Sequence, residues 1–350
     1  MSSYLSRRHK DLIPYVPGEQ PRDKRYIKLN TNESPFPPSP FALRLARQAA
    51  GESNLYPDPD CNSLRTVAAE KFGVDKDNVI FTNSSDETLS FAFSAFCDNE
   101  CGAAFPDITY GFYKVFADIY GVPYAEIPLA DDFSVSVKDF VGIGKTVFIA
   151  NPNAPTGIYL PLADIEKIVA GNPGNVVVID EAYIDFGGES AITLTNKYDN
   201  LLVVRTFSKS RSLAGARLGF AIGSKALIQD LNTIRYSTNP YAVNRMTMAA
   251  GQGALIDCEY FDNCVKTIKD NREYTVNELR KLGFVLTDSS ANFVLAKTDK
   301  IAGKDLYLKL KDMGILVRHF DTNRLRDYIR VTVGTRQEMS AFINAVKEII

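Results

Sequence analysis

The stretch that decides the fold is Asn200 to Arg217, NLLVVRTFSKSRSLAGAR. Its first half, Leu201 to Val204, is apolar without alternation, the pattern of a strand buried on both faces of a parallel sheet. The run stops at Thr206, Ser208 and Lys209. In open α/β sheets, ligands bind in the crevice beyond the carboxyl ends of the strands, and that is where these polar residues fall. Burial lowers the pKa of a lysine, and a less basic amine is what carbonyl chemistry requires. Taken alone, Ser-Lys after a strand reads first as a solvated loop.

The two preceding apolar runs change that reading. Asn175 to Tyr183, NVVVIDEAY, is another buried strand, and it ends at Asp180. A carboxylate there needs a positive partner or several donors. A helix cap and a metal ligand are both open roles, but the only two histidines, His9 and His319, are remote in sequence. Thr146 to Ala150 runs into NPNAPTG and places Asn153 at the same edge. Successive strands thus end in Asn, Asp with Tyr, and Ser with Lys. One ligand accounts for all of them: pyridoxal 5'-phosphate, whose aldehyde takes the lysine, whose ring nitrogen takes the aspartate, and whose phenolic oxygen takes donors from Asn153 and Tyr183.

NPNAPTG, DEAY and TFSKSRSLAGAR together resemble the fold-type I pyridoxal-phosphate-dependent aminotransferases. LNTNESPFPPSP at 29–40, YPDP at 56–59 and YIRVTVGT at 328–335 narrow the resemblance to the histidinol-phosphate aminotransferase branch, in order over nearly the whole chain. The resemblance implies ping-pong transfer between a small-molecule amino donor, histidinol phosphate, and a keto acid such as 2-oxoglutarate. It gives Lys209 the cofactor aldehyde and the proton transfer, Asp180 the ring nitrogen, and Thr206, Ser208, Arg217 and the turn at Ser85 and Asp86 the phosphate. Tyr110 stacks on the ring, Tyr56 reaches the phosphate of a neighbouring subunit in a homodimer, and Tyr15 and Asn32 stand beside the substrate. Aromatic amino-acid aminotransferases and phosphothreonine-type decarboxylases share these cofactor residues. The chain departs from its relatives at Ser84, where they usually carry Gly, at Ala154, where they carry Asn, and at Ser210, Arg211 and Ser212, where they carry Ala-Phe-Gly. Arg211 is expected to face solvent.

Read in order, residues 1–40 are rich in Pro, Asn and charge and form an arm, anchored by Tyr15, Tyr26, Ile27 and Leu29. Residues 41–245 alternate strand and helix, the pattern of a mainly parallel, helix-covered sheet, and form the large cofactor-binding domain. Asn78 to Thr82 is its first strand and runs into NSSDETLSFAFSAF, a strand–turn–helix whose start offers free N–H groups to a phosphate. Gly219 to Gly223 adds an antiparallel strand. Residues 246–350 bring strands at 284–287, 292–297, 314–319 and 328–333 and form a small α+β domain. Arg330 sits inside an apolar strand there, and Arg318 ends the one before it; two guanidinium forks suit a phosphate monoester that alternates with a dicarboxylate.

Composition bounds the rest. With 40 basic against 42 acidic residues, the net charge of −2 argues against nucleic acid or a membrane surface as partner. No apolar run is long enough to span a bilayer, and the first twenty residues lack the apolar core of a secretory signal. The 5 cysteines are odd in number and form no CxxC pair, which fits reduced thiols in a cytoplasmic protein with no metal site. No GxGxxG follows the early strands, against a dinucleotide site. A non-catalytic regulator on the same fold would need a DNA-binding module, and neither the length nor a basic helix-turn-helix is there.

Overall fold

The structure is a computed structural model and describes residues 4–350. The arm contributes β1 (Ile27–Lys28), and α1 (Pro40–Ala50) and α2 (Asn62–Phe72) follow. Then come β2 (Val79–Asn83), α3 (Ser84–Phe96), β3 (Ala103–Pro106), α4 (Phe112–Tyr120), β4 (Tyr124–Ile127), β5 (Thr146–Ala150), α5 (Leu162–Ala170), β6 (Val177–Asp180), β7 (Leu201–Thr206) and β8 (Leu218–Gly223). These strands form one sheet in the order β2-β8-β7-β6-β5-β3-β4. All neighbours are parallel except β8, which runs antiparallel to both β2 and β7, as its sequence suggests.

The strands are apolar throughout because both faces are covered. Val177, Ile179, Leu201 and Val203 point into one core, with Ile165 and Ile168 of α5. Val178, Leu202 and Val204 point into the other, with Leu89 and Phe93 of α3. Adjacent residues therefore serve opposite layers, so β6 and β7 stay apolar up to their ends, Asp180 in β6 and Arg205 with Thr206 in β7. That ending is what places Asp180, Thr206 and Lys209 at one edge.

α6 (Lys225–Thr238), α7 (Arg245–Ile256) and α8 (Cys258–Lys281) lead to β9 (Val285–Leu286), β10 (Phe293–Lys297), α9 (Gly303–Asp312), β11 (Ile315–Leu316), β12 (Arg318–His319), β13 (Tyr328–Thr332) and α10 (Arg336–Ile349). A second sheet of order β12-β13-β10-β9 is antiparallel throughout. The strand expected over 314–319 is divided. Ile315 and Leu316 pair in parallel with Ile27 and Lys28 of the arm, while Arg318 and His319 pair with β13. The change of partner at Val317 ties the arm to the small sheet and leaves Arg318 directly opposite Arg330.

Candidate active site

Asp180 is the last residue of β6 and is buried. Its carboxylate accepts from the Tyr113 hydroxyl at 3.1 Å and from the N–H of Ala182 at 3.2 Å. Both donors are neutral, and burial pushes the carboxyl up to about 6. Tyr113, in the first turn of α4, was not singled out by the sequence; its place three residues beyond Tyr110, an expected site aromatic, was the available signal. A buried acid supported only by neutral donors is suited to a cation supplied by a ligand.

Lys209 follows β7 and sits at the junction of two cavities. The larger, about 640 Å³, also touches Tyr15, Asn32, Arg318 and Arg330. The smaller, about 130 Å³, touches Ser85, Asp86, Asp180, Thr206, Ser208 and Arg217. The amine of Lys209 is 3.4 Å from the carbonyl of Thr31 and 5.7 Å from the centre of the Tyr183 ring. Tyr183 packs edge-on to Phe293 with centroids 5.2 Å apart, and its hydroxyl accepts from the amide of Asn32 at 3.0 Å. Asn32 is in the left-handed region (φ 56°) and its N–H donates to Thr332 Oγ1 at 2.9 Å, so β13 fixes the group that fixes Tyr183.

At the far end of the small cavity, α3 begins at Ser84, and Asn83 at the N-cap makes no side-chain capping bond. The first-turn N–H groups of a helix have no intrahelical partner, and the helix dipole favours an anion there. Ser84 itself has φ 75°, a conformation costly for a side chain and free to glycine; its hydroxyl is 3.2 Å from Asp86 Oδ2. A Cβ on Gly219 would lie 2.2 Å from the nitrogen of Ser85, so β8 can pass this turn only as glycine. Arg217 reaches across to Asp86 at 2.6 Å, and the Tyr110 hydroxyl donates to the other carboxylate oxygen at 2.6 Å. Ser208 and Thr206 add hydroxyls linked at 3.0 Å.

These residues fit pyridoxal phosphate: an amine beside an aromatic hydroxyl, a desolvated carboxylate, and a helix start with hydroxyls and an arginine. Two expectations need correction. The side chain of Asn153 is not presented to either cavity. Its amide donates to the carbonyl of Ile108 at 2.9 Å and to Thr156 Oγ1 at 3.0 Å, and its oxygen accepts from Thr109 at 2.8 Å. The next residue, Ala154, lines both cavities instead. Arg211 does not face solvent: it is 8% exposed and donates to the carbonyl of Ala254 at 2.6 Å, because α7 and α8 cover the segment. Tyr110 lies two residues before α4.

The outer wall of the larger cavity is basic. Arg330 donates to the carbonyl of Asn30 at 3.0 Å, but its Nε is shut off from solvent and has no hydrogen-bond partner among the described residues. Arg318 is close by, 3.3 Å from the carbonyls of Val16 and Pro17. Arg324 lines the same wall, donating to the carbonyl of Leu129 at 2.9 Å, and was not anticipated. Tyr15 packs on Phe112 at 4.4 Å. Tyr56 is elsewhere: it is 77% exposed and stacks on Tyr241 at 4.6 Å, and does not line either cavity.

Residues 24–346 match the family model described as aminotransferase class I and II. A histidinol-phosphate aminotransferase of Brachyspira hyodysenteriae is 49% identical over 352 residues, covering 100% of this chain and 99% of the relative. One from Clostridium botulinum is 46% identical over 351 residues, with 100% and 99% covered. Among solved structures, a histidinol-phosphate aminotransferase of Sinorhizobium meliloti in complex with pyridoxal-5'-phosphate superposes with a TM-score of 0.84 at 24% identity, covering 93% of each chain. At that identity the superposition speaks for the fold.

Proposed function

Because the chain belongs to the aminotransferase class I and II family and is thereby a pyridoxal-phosphate-dependent transaminase, we propose that histidinol phosphate and glutamate are its exchanging pair. Its place is then in histidine biosynthesis in the cytoplasm; among the described residues no helix is long and apolar enough to cross a membrane. The observation that carries the substrate reading is Arg330, a guanidinium with a buried, unpartnered Nε at the wall of the larger cavity and Arg318 opposite it on the next strand. An unmade bond from a buried charged donor is costly, and an anionic ligand removes that cost. Two arginines suit a phosphate monoester, and the same pair accepts a carboxylate of glutamate in the other half-reaction.

Bound at the small cavity, pyridoxal phosphate supplies an aldehyde that takes up the substrate's amino group and a ring that draws electrons from the neighbouring carbon. The residues do the rest. Lys209 holds the aldehyde between turnovers, and once displaced its free amine moves the proton away from the substrate carbon. Asp180 keeps a proton on the ring nitrogen. Tyr183, steered by Asn32, would donate to the phenolic oxygen, and Tyr110, which lines the same cavity, would hold the ring. The start of α3 at Ser85 and Asp86, with Thr206, Ser208 and Arg217, holds the phosphate. Tyr15 borders the substrate.

The test is a pair of half-reactions on the cofactor-loaded protein. Histidinol phosphate should bleach the visible band and 2-oxoglutarate should restore it. If unphosphorylated histidinol reacts as well as its phosphate, the phosphate reading fails. A homodimer with shared sites belongs to the same proposal, since Tyr56 is exposed and lines neither of these cavities in its own chain. Mixing a Tyr56 variant with a Lys209 variant should then regenerate active sites, and full activity of a dilute monomer would refute it.

A further inference from the structure

Behind Lys209, on the side away from both cavities, lies a cluster of four charged side chains that the proposed reaction does not use. Arg205, the residue before the end of β7, is 7% exposed and pairs with Asp185. Its Nε is 3.9 Å from Glu181, the residue next to Asp180. Glu181 accepts from Ser190 Oγ and from the N–H of Ala191, each at 2.6 Å. Arg211 is enclosed between the carbonyl of Ala254 and the ring of Phe261, whose centre is 4.1 Å from its guanidinium carbon. The two acids balance the two bases, and their polar atoms are engaged within the protein. The cluster is therefore not an anion site.

It does touch the lysine segment. Ser210 donates its hydroxyl to Asp185 Oδ2 at 2.5 Å, immediately after Lys209. On the other side, the N–H of Ser208 is held by Thr206 Oγ1 at 3.1 Å. Further along, the N–H of Leu213 donates to the carbonyl of Phe207 at 3.0 Å, and Ser212 Oγ donates to Ser34 Oγ at 2.8 Å. Both neighbours of Lys209 are thus pinned by side chains, one to the cavity edge and one to the charged cluster. Ser210 thus joins the residue after Lys209 to the cluster by its hydroxyl, and Arg211 carries a buried charge one residue further on.

We propose that Ser210 and Asp185 are positioning residues for Lys209, with Arg205 holding Asp185 in place and Arg211 fastening the segment to α7 and α8. The bond between them fixes the backbone at 209–210 and so the direction in which the Lys209 amine leaves it. The proposal rests on the reading of Lys209 as the cofactor lysine. A misplacement of a reacting group by about 1 Å costs up to about a hundredfold in rate, whereas substrate binding by Arg330 and Arg318 on the other domain is untouched.

The holoenzymes to compare are Ser210→Ala, Ser210→Thr and Asp185→Asn. Ser210→Ala and Asp185→Asn should lower kcat by about tenfold or more while KM stays within about twofold, the split expected when positioning rather than binding is lost. Both should move the pH midpoint of the visible band of the bound cofactor, which reports on the Lys209 nitrogen directly. Ser210→Thr, which keeps the hydroxyl, should behave as the parent. Ser210→Ala removes one oxygen and decides the matter even if Asp185→Asn does not fold. Parent-like kcat and midpoint in Ser210→Ala, with borohydride-reduced cofactor still on Lys209, overturn the proposal alone. A reduced label on another lysine overturns the reading beneath it and the proposal with it.

Discussion

Arg205 and Arg330 are both arginines inside strands, and the fold treats them in opposite ways. Arg205 is flanked by Asp185 and Glu181, and those two pull its charge toward permanence against the effect of burial. Arg330 has a single carbonyl and an orphaned Nε, and burial works against its charge. The same contrast separates two acids five residues apart. Asp185 lies below the ordinary carboxylate range despite burial, held there by Arg205 and Arg211, whereas Asp180, with neutral donors, is pushed up to about 6 by burial. Of these four groups, the two paired with each other build structure, and the two left short of partners face a cavity.

The largest effect that sharpens the contrast is on stability. Arg205→Met strands two acids in the interior, and breaking a buried pair from one side costs about 3–5 kcal/mol. Arg330→Met strands none and should leave urea unfolding within about 1 kcal/mol of the parent, as substitutions without such a mechanism do. Equal losses for the two variants would break the comparison.

Next comes a pH effect at Asp180. Its folded pKa of about 6 lies above the ordinary 3.8, so its stability contribution is fully present below about pH 4 and is lost as pH rises through 6. Cofactor-free protein should therefore lose up to roughly 3 kcal/mol relative to Asp180→Asn across that window. Bound cofactor should remove the loss by giving the carboxylate a cation. Parallel pH profiles for the cofactor-free parent and variant would show that Asp180 is not held as an isolated acid.

The smallest effect concerns catalysis. Charge-assisted bonds are worth about 1.5–3 kcal/mol each, so Arg330→Ala should lower kcat/KM for histidinol phosphate by about tenfold to a hundredfold. Arg330→Lys should recover little, because a point charge cannot reproduce the planar fork. Full recovery by lysine would mean that long-range charge, not the unpaired donor, attracts the substrate.

The strand ends carrying Asp180, Thr206 and Lys209 were legible because an apolar run with no alternation can stop only where the sheet stops. The start of α3 was legible for the same reason, since Ser84, Ser85 and Asp86 follow Asn83 directly. What escaped depends on distant covering. Arg211 looks like a surface residue until Ala254 and Phe261, over forty positions away, close on it. Asn153 and Ala154 are adjacent in a turn, and which of them meets the cavity is set by Ile108 and Thr109, which take up the asparagine amide. The division of 314–319 depends on β1, far up the chain, claiming Ile315 and Leu316. Tyr113 was hidden because its hydroxyl matters only once α4 is laid over the end of β6.

The central claim is that the ends of β6 and β7 with the start of α3 form one cofactor site around Lys209. Reducing the protein loaded with pyridoxal phosphate by borohydride, then digesting it and locating the added mass, tests this most directly. The account predicts loss of the visible band and a single modified residue, Lys209. Stable modification of any other lysine, with Lys209 left free, would contradict it.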